Sequence, residues 1–286
     1  MLAIVLVAAC GSLGVQAHTV ALSYKAGDTY KYALHIVMKY TIATSGLSIP
    51  FNLDMSAKES VAVKSVDSTG TADLGVTVTA VSVRTTINGT TNTTTTTSSQ
   101  SLDMKVAKDG RIVSINGTAF DNTSFGGVAG VQGGLISAIL PDKAVKPGDT
   151  WTKSFDQPNA FGSGSSHVTS DNKYLRDDGN AAVIESKING SLDMSIDTSA
   201  MAGQSGTPLV PPTGAVGGVQ SISIAGTSTS DVTSWIDLSA KRLEKTHSTG
   251  NVNATLTVNM AAGSTTPGLT GPITFKGTQT LDLTPA

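Results

Sequence analysis

Apolar and polar residues alternate along much of this chain, the period of half-buried β-strands. Tyr30-Lys31-Tyr32-Ala33-Leu34-His35-Ile36-Val37-Met38 alternates with one buried face. Leu47–Val66 reads as a second extended stretch, with Pro50 near its start, where an edge strand tolerates it. Asp67-Ser68-Thr69-Gly70 is a turn signal, and Asp73–Ile87 a long strand. In that strand Val76, Val78 and Ala80 share one face, whereas Val81, Val83 and Ile87 share the other. The change of phase at Ala80-Val81 predicts a bulge or burial on both faces. Asn88-Gly89 predicts a tight hairpin, since both residues tolerate the positive φ of a type I′ turn. Thr90–Val106 returns as a Thr-rich, solvated strand, and Lys108-Asp109-Gly110 turns the chain into Arg111–Asn116.

The pattern then changes. Phe125–Gly134 is rich in glycine, and Val131, Leu135, Ile136, Ile139 and Leu140 recur at spacings of three and four. That spacing predicts one short apolar helix over 131–140, ended by Pro141. Beyond it the first half begins again. Lys25-Ala26-Gly27-Asp28-Thr29-Tyr30 is echoed by Lys146-Pro147-Gly148-Asp149-Thr150-Trp151. The Asp67–Gly70 turn is echoed by Arg176-Asp177-Asp178-Gly179, and Lys108–Ile112 by Leu238–Leu243. The three echoes keep their order, with the variation in spacing falling in loops. The chain therefore divides into a first β half over 18–124, a connecting segment over 125–147 and a second β half over 148–286.

The N-terminus adds an address. Residues 1–9 carry no charge, are too few to span a bilayer, and match the apolar core of a secretion signal. The segment ends Val7-Ala8-Ala9-Cys10, which resembles a bacterial lipobox, so residues 1–10 read as a signal peptide with Cys10 as the lipidation site. No Lys or Arg precedes the run, the first being Lys25, which leaves Met1 open as the true start. Two other readings stay open. Val15-Gln16-Ala17 fits an ordinary signal-peptidase site that would release a soluble secreted protein after Ala17, and the apolar run could be a strand of the fold. The first two readings export the chain.

Composition agrees with a secreted β protein. Charged residues make up 14% of the 286 and aromatics 5%, and the net charge of -2 gives no electrostatic case for nucleic acid. Thr, Ser, Asn and Gly supply the polarity, which favours strands and turns. Cys10 is the single cysteine, so no disulfide can form within the chain. His18, His35, His167 and His247 have no metal-ligand spacing. Ser170-Asp171-Asn172-Lys173 contains S-x-x-K and S-D-N strings, but they overlap in one polar stretch, whereas penicillin-binding chemistry keeps them apart. Gly126–Gly130 fits neither phosphate-loop nor dinucleotide spacing, and the Asp-rich turns lack a full set of calcium ligands. No cofactor or metal is expected.

The early G-D-x-Y and the later Leu140-Pro141-Asp142-Lys143-Ala144-Val145-Lys146-Pro147-Gly148-Asp149-Thr150-Trp151 resemble a group of bacterial envelope proteins, many of them lipoproteins, with paired G-D-x-[YW] motifs. Long antiparallel strands with a short apolar helix are more distantly similar to half-barrels of the LolA and LppX type. That resemblance implies an apolar cavity that carries lipids or lipoproteins. The expectation is therefore an all-β, mostly antiparallel structure of two repeated halves, forming a curved half-barrel or sandwich with the helix near 131–140. The expected function is that of a non-enzymatic cell-envelope lipoprotein, membrane-anchored through Cys10. It would bind an apolar or lipid-like ligand against Val131, Leu135, Ile136 and Ile139. A cell-surface structural or protein-interaction module is the alternative.

Overall fold

The structure, a computed structural model, describes residues 17–44, 46–115, 118–119, 138–158, 162–197, 219–260 and 271–286. Among the described residues thirteen strands form one antiparallel sheet. The first half supplies β1 (Thr29–Thr44), β2 (Leu47–Val66), β3 (Ala72–Ile87), β4 (Thr90–Thr96), β5 (Gln100–Val106), β6 (Ile112–Ile115) and β7 (Thr118–Ala119). The second supplies β8 (Thr150–Pro158), β9 (Gly162–Asp178), β10 (Ala181–Asp197), β11 (Val219–Asp237), β12 (Arg242–Met260) and β13 (Ile273–Pro285). The order across the sheet is β7-β6-β5-β3-β2-β1-β13-β12-β11-β10-β9-β8, with β4 also on β3. Each half thus runs the same way around the sheet, and the β1–β13 ladder joins them.

The repeat is visible in the backbone bonding. Gly27 donates to the Val63 carbonyl and Val63 donates back to Asp28, both at 2.9 Å. Gly148 and Asp149 make the same pair of bonds with Tyr174, at 2.7 and 2.9 Å. Asp28 and Asp149 each donate three residues back, to Lys25 and Lys146. Gly27 and Gly148 hold φ of 93° and 96°, a region that only glycine enters cheaply. The other echoes also fall on equivalent turns. Asp67–Gly70 and Asp177–Gly179 lie at the β2–β3 and β9–β10 turns, and residues 107–111 and 238–241 at the β5–β6 and β11–β12 turns.

The change of phase in β3 is a bulge. Ala80 takes φ of 51°, and the β2–β3 register shifts between Ser56 and Lys58. The extra residue returns Val81, Val83 and Ile87 to the face already occupied by Val76 and Val78. The same bulge divides the strand expected over Thr90–Val106. β4 pairs with Val81–Ile87 and β5 with Ala72–Val78, one on each side of it. Asn88 and Gly89 have φ of 48° and 83°, as the hairpin signal requires. Pro50 does not mark an edge, since β2 lies between β1 and β3. Its carbonyl accepts from Asn88, so its ring nitrogen also points toward the turn, beyond the last β2–β3 pair Phe51↔Ile87, and no ladder bond is lost.

The sheet curls until its two ends approach. Arg111, beside β6, lies over the Phe155 ring of β8 at 5.8 Å, although β6 and β8 stand near opposite ends of the strand order. One apolar cluster draws on both halves, including Tyr32, Val61, Leu74 and Val106 of the first and Tyr174, Ile184, Ile236 and Leu283 of the second. Close strand approach on the inner face assists the curl. A Cβ on Gly277 would stand 2.1 Å from the Lys39 carbonyl oxygen, and one on Gly226 would stand 2.5 Å from that of Asn253.

Two irregular segments close one end. Residues 17–28 run from Val145, which bonds His18 in both directions, past Lys108 and Lys241, whose carbonyls accept from Leu22 and Ser23. Ala138–Asp149 runs beside them. Val20, Leu22, Ala138, Leu140 and Val145 are buried in the main cluster. At about 1.5–3 kcal/mol for a fully buried aliphatic side chain, such residues fix these segments without regular structure. The expected helix over 131–140 meets a correction here. Residues 131–137 lie outside the described residues, and residues 138–140 are not helical. Ala138 donates to Ser234 Oγ and Leu140 to the Asp109 carbonyl, so these amides bond to the sheet instead of to a preceding turn.

Candidate functional site

The inner face has two unlike walls above the closed end. On β2 the residues alternate without exception between Phe51 and Ala57: Phe51, Leu53, Met55 and Ala57 face inward, and Asn52, Asp54 and Ser56 face outward and are exposed. Their partners on β1 are Tyr40, Met38, Ile36 and Leu34. Phe51, Leu53 and Met55 are half-buried, as are Tyr40, Ile42, Ile49 and Phe275 around them, so solvent reaches this apolar wall. It belongs mainly to the first half of the chain.

The second half presents small and polar groups. Ser170, Asn172, Ser186, Ser230, Ser234, Thr246 and Gln279 are all buried. They are satisfied by one another, by main-chain carbonyls and by Tyr40, as buried polar groups must be. Asn172 Oδ1 accepts from Ser170 Oγ at 2.9 Å and from Ser186 Oγ at 2.6 Å, while its Nδ2 donates to the carbonyls of Ser170 and Trp151. Ser234 Oγ and Thr246 Oγ1 lie 3.1 Å apart, and Ser230 Oγ donates to the Thr249 carbonyl. The Tyr40 hydroxyl donates to Gln279 Oε1 across the β1–β13 seam at 3.2 Å.

One inward carboxyl interrupts the apolar wall. Glu59 pairs with Tyr32 on β1 and Val78 on β3, so it shares their face. Burial pushes its carboxyl above the ordinary carboxylate range. The tyrosines below respond in the same sense. Burial raises Tyr32 to about 12, and Tyr40 farther up the wall also to about 12. The Tyr32 hydroxyl is committed to the Leu243 carbonyl at 2.7 Å.

The outer face carries three cross-strand His–Asp pairs: His35 with Asp54 at 3.0 Å, His167 with Asp156 at 2.5 Å and His247 with Asp282 at 2.6 Å. His167 Nε2 also lies 3.1 Å from Ser154 Oγ and 3.3 Å from Thr169 Oγ1. The Ser154–His167–Asp156 order is that of a proton relay, but all three side chains stand on an exposed strand surface. Water there screens the charge interactions on which such a relay depends. Among the described residues no group of three or more His, Cys, Asp or Glu is placed to hold a metal ion.

Of the residues expected from the sequence to form the site, Cys10, Val131, Leu135 and Ile136 lie outside the described residues. Ile139 is fully buried at the closed end, where its carbonyl accepts from Trp151 Nε1 at 2.9 Å. It packs as part of the plug. The β1–β3 wall was absent from the expected site although its signal was available, since Phe51, Leu53, Met55 and Ala57 recur with period two. Glu59 was equally legible as the first break in that series.

No protein-family model matches the chain, and no curated protein matches it. Among solved structures, one titled for lipid–protein interactions in lipovitellin aligns over 92% of this chain at 11% identity with a TM-score of 0.44. The chain spans 26% of that protein's length. DynF from the dynemicin biosynthesis pathway of Micromonospora chersina aligns over 96% of this chain and 86% of its own, at 7% identity and a TM-score of 0.25.

Proposed function

We propose that this protein is a bacterial cell-envelope lipoprotein, anchored to the membrane through Cys10, that binds an apolar or lipid-like ligand without chemical turnover. The observation that carries the ligand reading is the solvent-reached apolar wall of β1 and β2 above an end sealed by packed side chains. A monomeric surface ordinarily hides a contiguous apolar area of this kind, and a concave one suits an acyl or similar chain. The lipobox-like Val7-Ala8-Ala9-Cys10 supports the anchor. Three acyl chains would hold the protein firmly, since one alone binds only marginally.

Native mass spectrometry of the protein purified from its own host tests both parts. An acyl mass on Cys10 and a co-purifying apolar species are expected. Unmodified Cys10, or a chain beginning at His18, would replace the anchored form by the secreted one. A protein that takes up no apolar probe in solution would refute the ligand reading.

The alternative, a protein-interaction module, has its own support. Among the described residues β8 pairs only with β9, which leaves one edge of β8 open to an added strand. A partner bound there would be displaced by a Ser154→Pro substitution, since the Ser154 amide points away from β9 in the β8–β9 ladder, and the apolar wall would be untouched.

A further inference from the structure

We infer that Glu59 anchors the polar head of the ligand, and that this head is a protonated amine on an apolar chain lying along the β1–β2 wall. The inference rests on the ligand-binding reading above. Glu59 stands at the foot of that wall, between Ala57 above and Val61 below on the same face. Its lateral neighbours are Tyr32 and Val78. Among the described residues its carboxyl has neither a hydrogen-bond donor nor an ion-pair partner. The nearest candidates are engaged elsewhere. The Tyr32 hydroxyl donates to Leu243, and the Arg242 guanidinium lies over the Tyr30 ring at 5.6 Å. Lys58 and Lys64 sit on the opposite face of β2.

An unpaired carboxyl in an apolar wall is costly, and every other inward position of β2 from Phe51 to Val63 is apolar. Glu59 is half-buried, so a head group entering from the open side can meet it. An ionised carboxylate only accepts hydrogen bonds and repels an anionic head such as a fatty carboxylate or a phosphate. A protonated amine would supply the missing charge and up to three donors.

The test uses the full chain near neutral pH, with dodecylamine, dodecanol and dodecanoic acid displacing an apolar fluorophore. The amine is expected to bind about tenfold or more tightly than the alcohol, as a charge-assisted hydrogen bond allows, and the acid most weakly. Glu59→Gln should abolish the preference for the amine over the alcohol. That variant removes an uncompensated carboxyl, so its fold is not at risk, and circular dichroism with a denaturant midpoint checks this. An amine preference that survives Glu59→Gln, or equal binding of the three chains by the unaltered protein, overturns the anchor and leaves the apolar wall standing. If none of the three chains binds, the ligand reading falls and the anchor with it.

Discussion

Replacing Gly277 by alanine tests the close strand contact that joins the two halves. Gly277 lies opposite Tyr40 in the β1–β13 ladder, which runs from Tyr32↔Pro285 to Ala43↔Thr274. A Cβ there would stand 2.1 Å from the Lys39 oxygen, 2.2 Å from Tyr40 Cδ1 and 2.6 Å from Tyr40 Cα. Contacts between heavy atoms are most favourable near about 3.5–4.0 Å, so β1 and β13 must part by about 1 Å. Two of the three clashing atoms are backbone, which cannot swing aside. Overpacking of this kind costs about 1–3 kcal/mol and occasionally more, and we expect about 3. With a urea m-value of about 3 kcal/mol/M, the midpoint should fall by about 1 M.

Gly75→Ala is the matched control. Its new Cβ would meet Lys64 Cε at 3.0 Å, the far end of a flexible side chain. Moving Lys64 disturbs its exposed pair with Asp103, worth about 0–1 kcal/mol. Both substitutions stiffen the unfolded chain by about 0.4–1 kcal/mol, so that contribution cancels in the comparison. Urea unfolding followed by tryptophan fluorescence gives both midpoints. Equal midpoints for the two variants would refute the close approach at the seam, and with it the account of how the sheet curls.

Three further outcomes follow from the geometry. Gly27→Ala and Gly148→Ala should each destabilise by about 1–2 kcal/mol, because both glycines hold the same left-handed turn, and unequal midpoints would count against equivalent turns in the two halves. Asn172→Leu strands the Ser170 and Ser186 hydroxyls in a buried site and should cost about 2–3 kcal/mol, whereas combining Asn172→Leu with Ser170→Ala and Ser186→Ala should recover part of that loss, both read by denaturant midpoint. All five tyrosines are raised above 10.0, with burial the leading cause, so the folded state holds their protons more tightly than the unfolded state. Their contribution to stability is complete below pH 10 and is lost as pH rises toward about 12, so tyrosinate absorbance should stay low through pH 10 and then appear together with unfolding. Gradual ionisation centred on pH 10 without unfolding would contradict the burial.

The linear pattern determined a good deal by itself. Period-two alternation placed β2 at Leu47–Val66 to the residue, because each strand's inward face is a local property of its own side chains. The bulge at Ala80 was legible for the same reason, as a shift in that period. So was the repeat, since Gly27-Asp28 and Gly148-Asp149 meet the same local backbone demand. Other features depended on residues far apart in the chain. That β1 pairs with β13, that Arg111 meets Phe155, and that residues 17–28 plug one end are matters of long-range closure, to which local patterning is blind. The spacing of Val131, Leu135, Ile136 and Ile139 suggested a helix, yet at its described end the amides bond to Ser234 and Asp109, partners that only the folded sheet brings near. Glu59 shows the division within a single residue. Its break in the apolar series is written in the sequence, but its position on an inward wall beside Tyr32 and Val78 exists only once three strands are paired.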